Sequence, residues 1–340
     1  MKKHRGIRIL GTITITAMVL IAGLIMMCSF HTQFAIGTIQ KIFYQNTDIN
    51  SYESAVPSSE GIREDGQYMI TSICYGETYP NSFLNIQYPD SDIGQERQTI
   101  LYIHGGGYFY GSALTGDPMA SDSTSSMYDR MCADGYNVVT IDYCLVPEHL
   151  FPDPVLQLNQ AIEFLIANAE EYHLDMDHLI IMGSSAGAIM TAQYGAVATN
   201  AEYAAMYHIV PAISAEHISA LVIDDAPLYY KEFNWATKVI IGNYLCGNIW
   251  PSEELRSWYD PYAYLSAEYP DCFLIGSSAY GSDMRRMYNC LQELGISSEL
   301  CYPSENSSLV TGHCFITEVG KNETADAAYA QMMHFIGKLR

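Results

Sequence analysis

The chain has 340 residues, 49% of them hydrophobic, with 16 basic against 38 acidic side chains and a formal charge of −22. That length and apolar share suffice for one large α/β domain or two small ones, and so acidic a surface excludes nucleic acid as a partner, since phosphates would be repelled. Nine cysteines without closely spaced pairs exclude a disulfide scaffold and a structural zinc site.

Lys2, Lys3, Arg5 and Arg8 are the only formal charges before Lys41, and the first acidic residue is Asp48. Between them runs the uncharged stretch Ile9 to Phe30, and about 20 apolar residues span a bilayer core. A cleaved signal peptide needs a shorter apolar region and a small-residue site, whereas Met26-Met27-Cys28-Ser29-Phe30 is bulky. Residues 1–30 therefore read as an uncleaved transmembrane signal-anchor with its basic tip in the cytoplasm, which exports everything beyond, with a cleaved signal or a buried helix as the alternatives. Residues 31–61 read as a linker or an N-terminal cap element, and residues 62–340 as the main domain.

Tyr68 to Tyr75 and Phe83 to Tyr88 predict a hairpin at a sheet edge. Thr99 to Ile103 and Tyr136 to Ile141 are near-continuous apolar runs. Pro154 to Tyr172 has helical spacing, with Val155, Leu158, Ala161, Ile162, Leu165 and Ile166 on one face. His178 to Met182 predicts a strand leading into a glycine-flanked turn, and Ala186 to Val197 the helix behind it. Ile218 to Ile223 and Cys272 to Ile275 are further short strands, with a Tyr- and Trp-rich cap insertion at 228–264 between them. Asp283 to Leu294 reads as a helix, Ser297 to Tyr302 as a strand and Glu323 to Leu339 as a closing helix. Unbroken apolar strands alternating with helices imply an α/β fold: a mostly parallel central sheet covered by helices on both faces. Cys74, Cys144, Cys272 and Cys301 lie in or beside apolar runs and read as small buried hydrophobes.

Two motifs carry chemistry. Gly183-Ser184-Ser185-Ala186-Gly187 describes a strand-to-helix turn so tight that only glycine tolerates the neighbouring backbone, leaving Ser185 exposed at its apex. His104-Gly105-Gly106-Gly107 offers backbone N–H groups, unobstructed by side chains, to a developing oxyanion. A serine hydroxyl needs a base, and in a sheet of this kind the histidine comes last. His313, after the final strand and before the closing helix, has that place, while His334 falls inside the helix pattern and His104 belongs to the glycine loop.

These segments, with Asp142-Tyr143-Cys144-Leu145-Val146-Pro147-Glu148-His149 and Gly312-His313-Cys314-Phe315, resemble the hormone-sensitive-lipase-like (alpha/beta hydrolase-3 type) acetyl esterases and carboxylesterases of the α/β-hydrolase fold, from about Thr99 to Phe315. The resemblance implies a Ser-His-acid triad acting on short-chain acyl esters, a cap built partly from the N-terminal region, and oxyanion donors on Gly105, Gly106 and Ala186. It implies no cofactor and no metal. Two positions depart from it: Ser184 replaces an aspartate, and Ala279 stands where the acid belongs. Asp283 is then the expected acid, with Asp225 or Asp224, or no acid at all, as alternatives. A peptidase or amidase of the same fold and a non-enzymatic binding domain are the competing readings. The expected partners are a small-molecule ester and, through the N-terminal helix, the membrane.

Overall fold

The computed structural model describes residues 2–44 and 48–339, with side chains in the first helix given from Thr14 onward, Ile15 excepted. The basic cluster at Lys2, Lys3, Arg5 and Arg8 and the side chains from Ile9 to Ile13 lie outside the described ones.

The strands are β1 (Ser59–Ile62), β2 (Tyr68–Cys74), β3 (Phe83–Tyr88), β4 (Gln98–Ile103), β5 (Asn137–Ile141), β6 (Asp175–Ser184), β7 (Ile218–Asp224), β8 (Cys272–Ile275) and β9 (Ser298–Cys301). They form one sheet in the order β1-β2-β3-β5-β4-β6-β7-β8-β9. From β1 to β5 neighbours run antiparallel, and from β5 through β4 to β9 they run parallel. The hairpin expected at the edge is β2–β3. β1 was not expected, because Pro57 to Gly61 is polar and loop-like; it is an exposed strand held by pairing to β2.

Ten helices connect the described strands: α1 (Lys2–Phe30), α2 (Thr32–Tyr44), α3 (Ser125–Ala133), α4 (Asp153–Ala167), α5 (Ala186–Thr199), α6 (Ala201–Met206), α7 (Trp235–Cys246), α8 (Glu253–Tyr259), α9 (Gly281–Leu294) and α10 (Glu323–Gly337). The reason β4 is buried throughout is visible in its alternation. Leu101 and Ile103 enter the core beneath α4 and α5, while Ile100 and Tyr102 enter the core beneath α3 and α10. Each face is therefore dry, and each buried aliphatic side chain contributes about 1.5–3 kcal/mol. Cys144, Cys272 and Cys301 are buried as expected, whereas Cys74, at the end of an edge strand, is exposed; all nine cysteines are free thiols.

The N-terminal segment is woven into the cap. α2 buries Ile36 and packs on α7, the first helix of the insertion. Gln40 Nε2 donates to the carbonyls of Phe109 at 3.0 Å and Val146 at 2.7 Å. Thr32 Oγ1 bonds Asn243 Oδ1 at 2.9 Å, and Trp235 Nε1 donates to Ser29 Oγ at 2.9 Å. Just before the boundary expected at residue 30, Cys28 and Ser29 are buried, and Ser29 is bonded to α7. Upstream of them, Met18, Val19, Leu20 and Ile21 are all exposed although consecutive, so α1 presents apolar side chains on every side. Among the described residues no single helix is long and apolar enough to cross a membrane; Thr16–Phe30 and Thr32–Tyr44 meet that length only as a pair bent by 91°.

Candidate active site

Ser185 stands between the end of β6 and the start of α5 with φ 53° and ψ −114°, a backbone that L-residues avoid. The glycines make this possible. A Cβ on Gly183 would lie 2.2 Å from the Gly187 carbonyl oxygen, and one on Gly187 would lie 2.0 Å from that of Ile103. The Ser185 N–H is held by the Asp224 carbonyl at 2.8 Å, which ties the turn to β7.

The glycine loop follows β4 directly. Gly106 has φ +110°, and a Cβ there would stand 1.9 Å from the Tyr110 carbonyl oxygen. A Cβ on Gly105 would lie 2.9 Å from that of Ser185, so only glycine lets this backbone reach the serine. The N–H of Ala186 belongs to the first turn of α5, where the helix dipole favours negative charge. His104 shapes the loop: its ring stacks on Tyr143 with centroids 4.3 Å apart, and Nδ1 lies 2.6 Å from the Gly105 oxygen. Burial lowers its pKa to about 4, so it stays neutral.

His313 Nδ1 lies 2.6 Å from Asp225 Oδ2. Asp225 is fully buried, just beyond β7, and its carboxylate also accepts from Ser277 N–H at 2.8 Å, Ser277 Oγ at 2.5 Å and Cys314 N–H at 3.3 Å. Four donors fix one carboxylate under one edge of the imidazole. Burial works against charge on His313, but the hydrogen bond to Asp225 and the carboxylates of Asp225, Asp117 and Asp224 outweigh it and hold its pKa above the ordinary value. The edge of the Tyr280 ring faces the imidazole, with centroids 5.3 Å apart.

The structure gives His313 no contact with Asp283, the expected acid: Gly281 starts α9 against Tyr302, whose ring a Cβ there would meet at 2.1 Å. Asp283 sits in the first helical turn, where Oδ1 accepts from Tyr229 N–H at 3.2 Å. Burial first, opposed by the Tyr229 and Leu228 N–H groups, puts its pKa at about 6. The other alternative, Asp224, is held by a different chain: Tyr102 OH donates to Ser184 Oγ at 2.7 Å, which donates to Asp224 Oδ2 at 2.6 Å. Burial and the adjacent Asp225 raise the Asp224 pKa to about 7. Ser184 thus serves as a bridge between two buried polar groups.

A cavity of about 200 Å³ opens over Ser185 and His313, walled mainly by Phe109, Met119, Ile189, Ile240, Ile241 and Tyr280. Asp117 also lines it, a residue the sequence reading did not single out. Among the described residues, the one cluster of close metal-type donors is Asp225, His313 and Cys314, and there the carboxylate and ring are already bonded to each other.

Comparison with known proteins agrees with this architecture. The chain is 23% identical over 154 residues to an α/β hydrolase, R526, of Acanthamoeba polyphaga mimivirus, covering 42% of each. It is 29% identical over 107 residues to esterase LipC of Mycobacterium tuberculosis, covering 31% of this chain and 25% of that protein. The chain therefore spans less than half the length of either relative. The crystal structure of esterase B from Lactobacillus rhamnosis superposes with a TM-score of 0.66 at 16% identity, over 83% of this chain and 88% of that one. The family model described as BD-FAE matches residues 84–279, more than half of the chain and the whole stretch from β3 to the loop before α9. On that match, and with this sheet and serine turn, the chain belongs to the BD-FAE family and has the α/β-hydrolase fold.

Proposed function

We propose that the protein is a serine esterase acting on short-chain acyl esters. Ser185 Oγ attacks the ester carbonyl as His313 Nε2 takes its proton. The N–H groups of Gly105, Gly106 and Ala186 receive the oxyanion, and the alcohol leaves with the proton from His313. Water, activated by the same imidazole, then releases the acid. The observation that carries this reading is the 2.6 Å contact of His313 Nδ1 with a saturated, buried Asp225, which occupies Nδ1 and leaves Nε2 as the ring atom to take the proton. The relatives named as esterases support the reaction class. The small apolar cavity supports the chain length: p-nitrophenyl acetate and butyrate are expected to be hydrolysed at least tenfold faster, in kcat/KM, than the octanoate, at about 1–3 kcal/mol for each ill-fitting methylene. A rise in kcat/KM up to the octanoate would contradict the short-chain assignment.

The proposal extends to α1. A helix that is apolar all round needs an apolar surrounding, and the hydrolase core does not cover Met18 to Ile21. A bilayer meets that need, with the basic tip on the cytoplasmic side and the esterase domain outside. The full chain is expected in the membrane fraction after a carbonate wash. A chain beginning at Met26 is expected to be soluble and to melt roughly 5 °C above one beginning at Gln33, which lacks the Ser29 and Thr32 hydrogen bonds. Recovery of the full chain in the wash, or equal melting of the two shorter chains, would contradict this arrangement.

A further inference from the structure

Asp117 is a buried carboxylate that the triad does not use. It lies on the loop between Gly111 and Thr124, which turns through glycines with φ +105° and +79° and closes on a Ser112–Gly116 bridge. Its side chain is only 2% exposed. Oδ1 accepts from Met119 N–H at 2.7 Å. Oδ2 stands 3.9 Å from His313 Nε2 and 2.5 Å from where a Cβ on Gly105 would be. That same Cβ position would lie 2.9 Å from the Ser185 Cβ, and the Gly106 N–H and the Ser185 hydroxyl are near enough to lower the Asp117 pKa. Among the described residues, the cation that acts on it is the His313 imidazolium.

These partners are the groups that ester hydrolysis needs. Gly106 N–H is an expected oxyanion donor, Ser185 the attacking group, and Nε2 the atom that takes the proton. A single carboxylate stands among all three, on the wall of the same cavity.

We propose that Asp117 fills the oxyanion hole of the free site, and that the incoming carbonyl displaces it while it stays beside the acyl group, where it selects for uncharged acyl groups and against anionic ones. This rests on the esterase reading of Ser185. A carboxylate within about 4–6 Å of a second negative charge disfavours it strongly, more so in a site from which water is excluded. Burial raises the Asp117 pKa, opposed by His313 and by the Met119, Gly106 and Ser185 hydrogen bonds. Among the described residues, the other titratable groups that act on the pair are Asp225 and Asp224 at the end of β7, with Cys314, Tyr280, Tyr110 and Tyr143 nearby. Burial pushes the pKa of Cys314 and of the tyrosines up, so they stay neutral where His313 titrates.

The test is Asp117→Asn, which keeps an acceptor for Met119 N–H. Proton release from ethyl valerate and from monoethyl succinate, substrates that differ chiefly in one carboxylate, gives the discrimination in kcat/KM. The variant is expected to lose at least tenfold of the wild-type preference for valerate. Its acid limb in kcat/KM for valerate is expected about one pH unit lower, because the imidazolium loses one neighbouring carboxylate and Nε2 is free at lower pH. If either the preference or the limb stays at its wild-type value in a variant with wild-type circular dichroism, the inference is wrong. A wild-type chain that hydrolyses neither ester takes the esterase reading down with it, whereas an active wild type with an unmoved variant sinks the role of Asp117 alone.

Discussion

Replacing Ser185 or His313 by alanine is expected to lower kcat on p-nitrophenyl acetate by about 10⁴–10⁶, and the double variant by no more than either alone, because nucleophile and base act as one unit. The remaining rate is what the glycine loop and binding supply without a nucleophile. Neither change removes a core side chain, since both groups line the cavity, so thermal midpoints should hold within a few degrees. Ser184→Ala is expected to behave in the opposite way. Its hydroxyl bridges Tyr102 and Asp224, both fully buried, and its loss leaves them unpaired at a cost of about 1–3 kcal/mol, with activity largely kept. Equal rate losses at 184 and 185 in folded protein would mean that the nucleophile is misassigned.

The second large effect is expected at Asp225. Asparagine there can keep its oxygen toward the Ser277 N–H only by turning its amide nitrogen to the imidazole. Nδ1 must then accept, the ring proton moves to Nε2, and the base faces Ser185 already protonated. In a related triad this tautomer error costs about 10⁴ in kcat. Asp283→Asn should leave the rate near wild type, because an amide oxygen still accepts from Tyr229 N–H. Full activity in Asp225→Asn, or a severe loss in Asp283→Asn, would reverse the assignment of the acid.

The different fates of these two aspartates show what the sequence carries. The serine turn and the glycine loop are legible because their geometry is local: each needs glycines at fixed offsets from one residue, and both sit directly after an apolar strand. The parallel sheet is legible for a similar reason, since Ile100 to Ile103 of β4 and Leu179 to Met182 of β6 are apolar on both faces. The acid is not local. Asp225 and Asp283 both follow strands that end at the same edge of the sheet, and only the three-dimensional path of the loop before His313 decides which carboxylate lies beneath the ring. Asp224 and Asp225 stand at the end of the strand beside the one that leads to Ser185, which is the signal the sequence offers for them; Asp283 follows the strand from which the resembling family supplies its acid.

Other details were hidden by chemistry rather than by distance. Hydropathy places a boundary at Phe30, but Ser29 and Thr32 are held by hydrogen bonds to α7 that no polarity profile records. β1 owes its existence to pairing with β2 and not to its own side chains. Asp117, in Gly116-Asp117-Pro118, has the composition of an exposed turn, and burial beside Ser185 comes only from the loop folding back over the glycine run.

The central claim is that Ser185 is activated by a His313–Asp225 pair. Fluorophosphonate treatment of the chain beginning at Met26, followed by mass analysis of its peptides, tests it most directly. The account predicts one stoichiometric adduct on the peptide carrying Ser185, formed within minutes in the wild type and at least a hundredfold more slowly in Asp225→Asn. An adduct on any other residue, or labelling of Asp225→Asn at the wild-type rate, would contradict it.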